Sequence, residues 1–349
     1  MNEAGIDRIL IDQSPGEDRA IAVDAEGDAW HCFIHRPMSS SLVTYGARVS
    51  GRIRSVSSDQ GGAFVTLETG EDAFLRLQGK APFSEGAKLE FRVEAEARNG
   101  KLARVLTVDR DVPEISAFDA WRDQLPGGSK VPMEYDADAV DAVFEEFGSQ
   151  AKHLPRGGQI WVERTRALTA IDIDTAGRTT KGRPHARAHS INREAVKTAM
   201  REVSLRRLGG LFVIDCVAPV SRESAAQLRA IMTDLVDRHT THTLRSEGPT
   251  QKLGLLSGAL NWRFRPIQEI LFDRDGRERP ETELFKALRL AVREARADRR
   301  SFFTLHLGAE PLALYVAQEE TLSATLPDDV QGRVRVSEHV SDRTEIRRA

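Results

Sequence analysis

The run Thr169-Ala170-Ile171-Asp172-Ile173-Asp174-Thr175 alternates apolar and polar side chains, and that period of two fits a half-buried strand and excludes a helical stripe. Ile171 and Ile173 then point into a core while Asp172 and Asp174 project together from the other face near the strand's end. Two carboxylates held side by side on a rigid element suit a divalent cation. The same aspartates would also serve simply to open a turn or cap a helix, and this run alone leaves both readings open.

A second run, Leu208-Gly209-Gly210-Leu211-Phe212-Val213-Ile214-Asp215, is again a short apolar strand closing on an aspartate. Between the two lies a basic stretch: residues 151–210 carry thirteen Lys/Arg against five Asp/Glu, in a chain whose net charge is only −3. Cations gathered around acidic metal ligands suit a polyanionic substrate whose phosphates they hold. A solvated basic helix face would account for part of the same excess.

These residues also carry a resemblance. Thr169 to Asp174, Gly177-Arg178-Thr179-Thr180, Asn192-Arg193-Glu194-Ala195 and Leu205-Arg206-Arg207-Leu208-Gly209-Gly210-Leu211-Phe212-Val213-Ile214-Asp215 follow the order and spacing of the catalytic half of the ribonuclease E/G family. The resemblance implies a DNase I-like α/β subdomain that binds Mg²⁺, with Mn²⁺ as the alternative ion, and cleaves single-stranded RNA endonucleolytically. By position, Asp172 and Asp215 fall where the family holds its metal. Asp174 falls where the family usually has an asparagine that orients the attacking water or the scissile phosphate, so three aspartates stand as candidate catalytic residues. After Asp215 the family tends to carry another acid, where this chain has Cys216-Val217-Ala218-Pro219.

Upstream, five short alternating segments between Gly51 and Val108 are punctuated by Gly and acidic turns, the pattern of a small OB-type barrel. Gly51-Arg52-Ile53 and Gly62-Ala63-Phe64-Val65 resemble landmarks of the S1 domain embedded in the same family. The resemblance makes Phe64 and Phe74 base-stacking positions and Lys101 a basic contact to the RNA near the cleavage site. Read without it, a strand phenylalanine belongs to a core more often than to a platform. Arg178, Lys252, Arg263 and Arg265 complete the candidate RNA contacts, each of which would serve equally as a surface charge.

Two family features are missing. The Cys-Pro-x-Cys element that shares zinc between subunits is replaced by Phe272-Asp273-Arg274-Asp275-Gly276-Arg277-Glu278-Arg279-Pro280, so no zinc is expected and a homodimer would need other surfaces. Between barrel and catalytic subdomain, where the family places a subdomain that recognises a 5′-monophosphate, the chain has only a polar piece rich in Pro and Gly. Cleavage indifferent to the RNA 5′ end is the expectation.

The expected fold is mixed α+β and multidomain. Residues 1–47 form N-terminal β strands, 48–108 the S1-like OB-fold, 109–136 a linker, 137–275 the catalytic subdomain and 276–349 a small α/β C-terminal domain. Helices are expected over 138–147, 221–237 and 282–297, whereas His185 and His189 fall in a Gly/Pro-interrupted loop. Cys32 and Cys216 read as reduced core residues, and with no membrane span or signal peptide evident the expected compartment is the cytoplasm. Two functions follow: a Mg²⁺-dependent endoribonuclease, or an RNA-binding protein on a ribonuclease scaffold whose chemistry has weakened.

Overall fold

The computed structural model describes residues 5–37, 43–77, 79, 82–176, 178, 183–246 and 253–349. Strands β1 (Arg8–Ser14), β2 (Glu17–Val23) and β3 (Ala29–His35) form an antiparallel meander, as their alternating patterns require. Next come β4 (Arg48–Ser57), β5 (Gly62–Leu67), β6 (Asp72–Arg76), β7 (Lys88–Ala95) and β8 (Ala103–Thr107), which close into a barrel in the order β4-β5-β6-β8-β7. Its one parallel contact, β6 with β8, and its strand order are those of an OB-fold. Ile53, Val65, Leu67, Leu75, Phe91, Val93 and Val105 point inward and fill it.

The stretch 109–136, expected as a linker, is built into the fold. Helix α1 (Ala117–Arg122), capped by Ser116, buries Trp121 to 2% exposure against Phe33 and Phe118. Strand β9 (Met133–Tyr135) then adds to the first sheet, parallel to β1. One helical turn and three strand residues are too short to show a period in sequence, and so the polar flanks dominated the reading.

The central unit runs α2 (Ala137–Glu145), β10 (Ala151–His153), β11 (Gln159–Arg164), β12 (Leu168–Asp174), α3 (Pro184–Leu205), β13 (Gly210–Asp215), α4 (Arg222–His239) and β14 (Leu255–Leu260). The five strands lie in chain order, and only β12 and β13 are parallel, joined through α3. Ile171, Ile173, Phe212 and Ile214 face the α3 side, and α3 is packed between this sheet and β3. That position explains the run of small buried residues on α3, Ala188, Ala195 and Ala199, which let the layers approach. His185 and His189, expected in a loop, lie in the first two turns of α3 because Pro184 occupies its first position, where proline starts a helix instead of breaking it.

After α5 (Ile267–Leu271), the tail forms α6 (Pro280–Ala297), β15 (Phe303–His306), α7 (Ala309–Ala317), α8 (Glu319–Ala324), β16 (Val334–Val336) and β17 (Glu345–Arg348), with a three-stranded sheet ordered β16-β15-β17. Helix α6 is tied to the first sheet by buried ion pairs in which Arg19, Arg36, Arg289 and Arg293 meet Asp12, Glu17 and Asp141. Burial works to raise the Glu17 carboxyl, but the charges of Arg289, Arg36 and Arg19 outweigh it and hold the group below its ordinary value. Cys32 and Cys216 are both buried and free. Among the described residues no helix is long and apolar enough to cross a membrane.

Candidate active site

The aspartates stand where the crossover topology leads one to look. Strands β12 and β13 are parallel and paired from Leu168–Leu211 to Ile171–Ile214, so Asp172 and Asp215 come one step later, side by side at the carboxyl ends. Adjacent strands lie about 4.8 Å apart, which lets two such carboxylates share one ion. Both are exposed on the sheet face opposite α3, because their apolar neighbours Ile171 and Ile214 are buried on the α3 side. Among the described residues neither carboxylate has a hydrogen-bond or ion-pair partner, although the surrounding segment is rich in arginine.

Asp174 differs. Its Oδ2 accepts from Nε2 of Gln159 at 3.2 Å and its Oδ1 from the N–H of Ala176 at 2.8 Å. The side chain therefore shapes the turn that leaves β12.

Helix α3 fixes the segments flanking both strands. Asn192, fully buried, donates from Nδ2 to the carbonyl of Val217 at 2.9 Å and accepts from the N–H of Val217 at 2.8 Å. One full helical pitch is not needed to reach the other side: Glu194 accepts from the N–H of Arg156 at 2.8 Å and from Nη2 of Arg178 at 2.8 Å. Burial tends to raise the Glu194 carboxyl, and the bonds from Arg178 and Arg156 overcome this and leave it below its usual range. The roles of Asn192 and Glu194 were not visible in the sequence. The available signal was two polar residues embedded in the buried stretch Ile191–Val196.

A hard cation takes oxygen ligands and keeps water, with one or two carboxylates from the protein. Asp172 and Asp215 fit that demand in donor type, adjacency and exposure. Among the described residues no group of three or more His, Cys, Asp or Glu could hold an ion by itself, so a bound ion would complete its shell with water and substrate oxygen. Beside them the Cys216 thiol is pushed up to about 12, first by burial and then by the Asp215 charge, and stays neutral.

The candidate RNA contacts divide. Phe64 and Phe74 are direct cross-strand partners with ring centroids 5.5 Å apart, edge to face, and the Arg54 guanidinium lies 5.5 Å from the Phe64 ring. Both rings are half-exposed on the barrel surface, not in its core. Lys101 is exposed at the tip of the β7–β8 hairpin and lines a cleft of about 1020 Å³ between barrel and central sheet, together with Arg265, Arg164 and Arg166. Its lining on the central unit runs from Arg166 and Leu208, before β12 and β13 begin, as far as Val162 and Gln150. Val162 pairs with Ile171 and faces the α3 side, so the cleft opens on the face of the sheet opposite the aspartates. Lys101 is thus not brought beside Asp172 and Asp215.

Two other cations hold structure. The Arg178 side chain is 1% exposed and committed to Glu194 and to the carbonyl of Gly157, so it braces the loop and offers no open phosphate contact. Arg263 donates to Oγ1 and the carbonyl of Thr241. Lys252 lies outside the described residues. The basic excess is also reduced by pairing: Lys152, Arg156, Arg164, Arg178, Arg201 and Arg206 all form ion pairs. Arg183, Arg187, Arg193 and Lys197 on α3 remain exposed, and the first two sit at the helix end nearest the aspartates.

The barrel is held to the central unit at fixed points. Glu96 accepts from the N–H groups of Tyr45 and Arg265 at 2.9 and 2.8 Å, and Arg98 lies 4.5 Å from the ring of Trp262. That indole packs on Gly209 and Gly210; a Cβ at Gly209 would fall 2.7 Å from it, and Gly210 has φ +80°. The Leu-Gly-Gly element is thereby explained by close packing and backbone conformation.

Comparison with known proteins agrees with this geometry. Residues 132–257 match the model of the ribonuclease E/G family. The chain is 38% identical to ribonuclease E of Escherichia coli (strain K12) over 92 residues, 26% of this chain and 9% of that protein. It is 26% identical to ribonuclease G of Haemophilus influenzae over 189 residues, 54% of this chain and 36% of that protein. It is 33% identical to ribonuclease E of Synechocystis sp. over 89 residues, 26% of this chain and 13% of that protein. The matches thus span a tenth to about a third of the curated relatives' lengths. The stretch similar to the ribonuclease E/G family, residues 132–257, contains both aspartates and helix α3 between them.

Proposed function

We propose that the protein is a Mg²⁺-dependent endoribonuclease that hydrolyses phosphodiester bonds of single-stranded RNA during RNA processing or decay in the cytoplasm, with Mn²⁺ able to replace Mg²⁺. The single observation that carries this reading is the placement of Asp172 and Asp215 at neighbouring strand ends, exposed and unpaired among the described residues. A pair of carboxylates left facing each other without a cationic partner repels itself, and a divalent ion removes that cost. When bound, such an ion supplies charge stabilisation at the phosphate and lowers the pKa of an attacking water.

The chain's own residues supply position. Asn192 and Glu194 hold the backbone around the two strand ends, so the carboxylates need little reorganisation. Phe64 and Phe74 offer base-stacking surface on the barrel, which we assign as the RNA-holding domain, and Arg183 and Arg187 place exposed positive charge at the aspartate edge. The arginine-lined cleft adds a second phosphate-holding surface on the other face of the sheet.

One observation favours the second reading, an RNA-binding protein with weakened chemistry. Asp174 can only accept hydrogen bonds, and both its oxygens already do so, where the asparagine of the resembling pattern would offer an N–H to the phosphate. Incubating purified protein with an A/U-rich single-stranded RNA, with Mg²⁺ or with chelator, separates the two. The enzyme cleaves internally and only with Mg²⁺; tight binding without cleavage would support the binder.

A further inference from the structure

Three of the chain's four tryptophans have ring partners. Trp30 stacks on His239 at 3.8 Å, Trp121 packs against Phe33 and Phe118, and Trp262 lies under Arg98. The fourth, Trp161, has no aromatic or cationic ring partner among the described residues and is 38% exposed on the open face of the central sheet. Its cross-strand neighbour is Asp172. Reading the register across the sheet gives one transverse row, Ala151, Trp161, Asp172, Asp215 and Leu255, so the indole stands beside the two carboxylates on their own face.

A lone exposed apolar side chain is ordinary, and what marks Trp161 is its place directly beside the two carboxylates. The neighbouring positions on this face are Ala151, Gln159, Glu163, Ala170, Asp172 and Asp174, with no Lys or Arg among them. Among the described positions of this strand face the attraction available to a nucleotide is the flat indole and the Gln159 amide, with the nearest exposed cations, Arg183 and Arg187, beyond the strand ends. Every base has a π-face, so such a surface holds RNA without regard to sequence. One strand spacing separates Trp161 from Asp172, comparable with the distance from a phosphate to the base it carries.

We propose that Trp161 is a base-stacking platform that seats a nucleobase of single-stranded RNA beside the Asp172–Asp215 row. The inference rests on the functional reading above for its substrate, and the indole acts as a binding and positioning residue for that reaction. It also gives the enzyme a second stacking point, separate from the Phe64–Phe74 pair on the barrel.

The test uses the whole protein and a short A/U-rich single-stranded RNA, with Ca²⁺ in place of Mg²⁺ so that oxygen sites are filled while binding is measured. RNA is expected to quench the tryptophan emission of the unaltered protein, and W161F is expected to lose most of that quenching while keeping its affinity. W161A should bind about tenfold more weakly at unchanged thermal stability, since the side chain is exposed. With Mg²⁺, the same two variants should order as W161F above W161A in kcat/KM. Quenching without cleavage by the unaltered protein would remove the enzyme reading and leave the platform standing. Cleavage with Trp161 emission unmoved by RNA and W161A fully active would overturn the platform and leave the enzyme. If Trp161 emission instead changes with protein concentration, and sedimentation shows a dimer that W161A dissolves, the face joins two copies of this chain and the proposal also falls.

Discussion

The side-chain amide of Asn192 holds the backbone of Val217 by both its N–H and its carbonyl, at 2.8 and 2.9 Å. Val217 lies two residues beyond Asp215, so a helix residue far from that aspartate in sequence sets where its strand ends. Replacement by alanine removes both bonds inside the fold. Asn192→Ala is expected to lower stability by about 1–3 kcal/mol and to reduce kcat more than it changes KM. Urea unfolding beside steady-state cleavage checks this; unchanged kcat in a folded variant would mean that the clamp does not position Asp215.

Glu194 pairs with an almost fully buried arginine, and breaking such a pair leaves a charge without its partner. Glu194→Gln keeps an acceptor for the Arg156 N–H but loses the negative charge facing Arg178, whereas Glu194→Leu loses both. Unfolding midpoints should fall in the order wild type, Gln, Leu, with the Gln variant lower in stability by roughly 2 kcal/mol. Equal midpoints for wild type and Leu would refute the clamp.

Asp174 places a third carboxylate two residues beyond Asp172 on the same strand, without a hydrogen to donate. Asp174→Asn restores a donor and removes one negative charge, and the Gln159 amide can turn over to accept from it. The variant is expected to cleave RNA several-fold faster than the unaltered chain at limiting Mg²⁺, by an estimate of about 1 kcal/mol for one charge-assisted hydrogen bond. Slower cleavage would assign the Asp174 carboxylate itself to the chemistry.

Burial pushes His31 down to about 4 and His242 down to about 3, and the charge of Arg263 adds to the effect at both. Both must fold as neutral rings, whereas the unfolded chain binds their protons near the ordinary histidine value of 6.5. Between 6.5 and about 4 the unfolded state holds more protons, so stability is full above 6.5 and falls as pH drops. Glu194, held below its ordinary value of 4.5, adds a loss of the same sign at lower pH. Urea midpoints measured from neutral to mildly acid pH should decline, and His242→Gln should flatten the slope. A midpoint independent of pH across that window would contradict the burial.

The short segment between barrel and central unit is filled by α1 and β9, both packed into the fold. RNA carrying a 5′-monophosphate and RNA carrying a 5′-hydroxyl are expected to be cleaved at rates within about twofold, less than one charge-assisted contact would produce. Competition between the two in one reaction measures it directly, and a large preference for the monophosphate would place a 5′-end site somewhere on this chain.

The sequence made the strands legible because alternation survives in a single chain: the barrel, β12 and β13 follow from where Ile171, Phe212 and Val65 fall. Helix α4 was equally readable, with Ser221 accepting from the N–H of Ser224 as its cap. What could not be read was tertiary. Nothing in the sequence distinguishes Arg178, buried against Glu194, from Arg187, exposed nine residues later, since burial depends on what packs there. Nor does a strand pattern say that Trp161 faces Asp172 and not the core, because register is set by partners distant in sequence. Lys101 was expected near the aspartates by position in a motif, and the hairpin that carries it points instead into the cleft, which opens on the α3 side of the sheet.

The central claim is that Asp172 and Asp215 act as one metal-holding unit. Groups that hold a single ion fail together, so their losses do not add. Rates of Mg²⁺-dependent cleavage of one defined single-stranded RNA should be measured for Asp172→Asn, Asp215→Asn and the double variant. The account predicts that each single variant loses at least about 100-fold in kcat/KM and that the double variant loses scarcely more. Full activity in either single variant, or cleavage that persists in chelator, would contradict it.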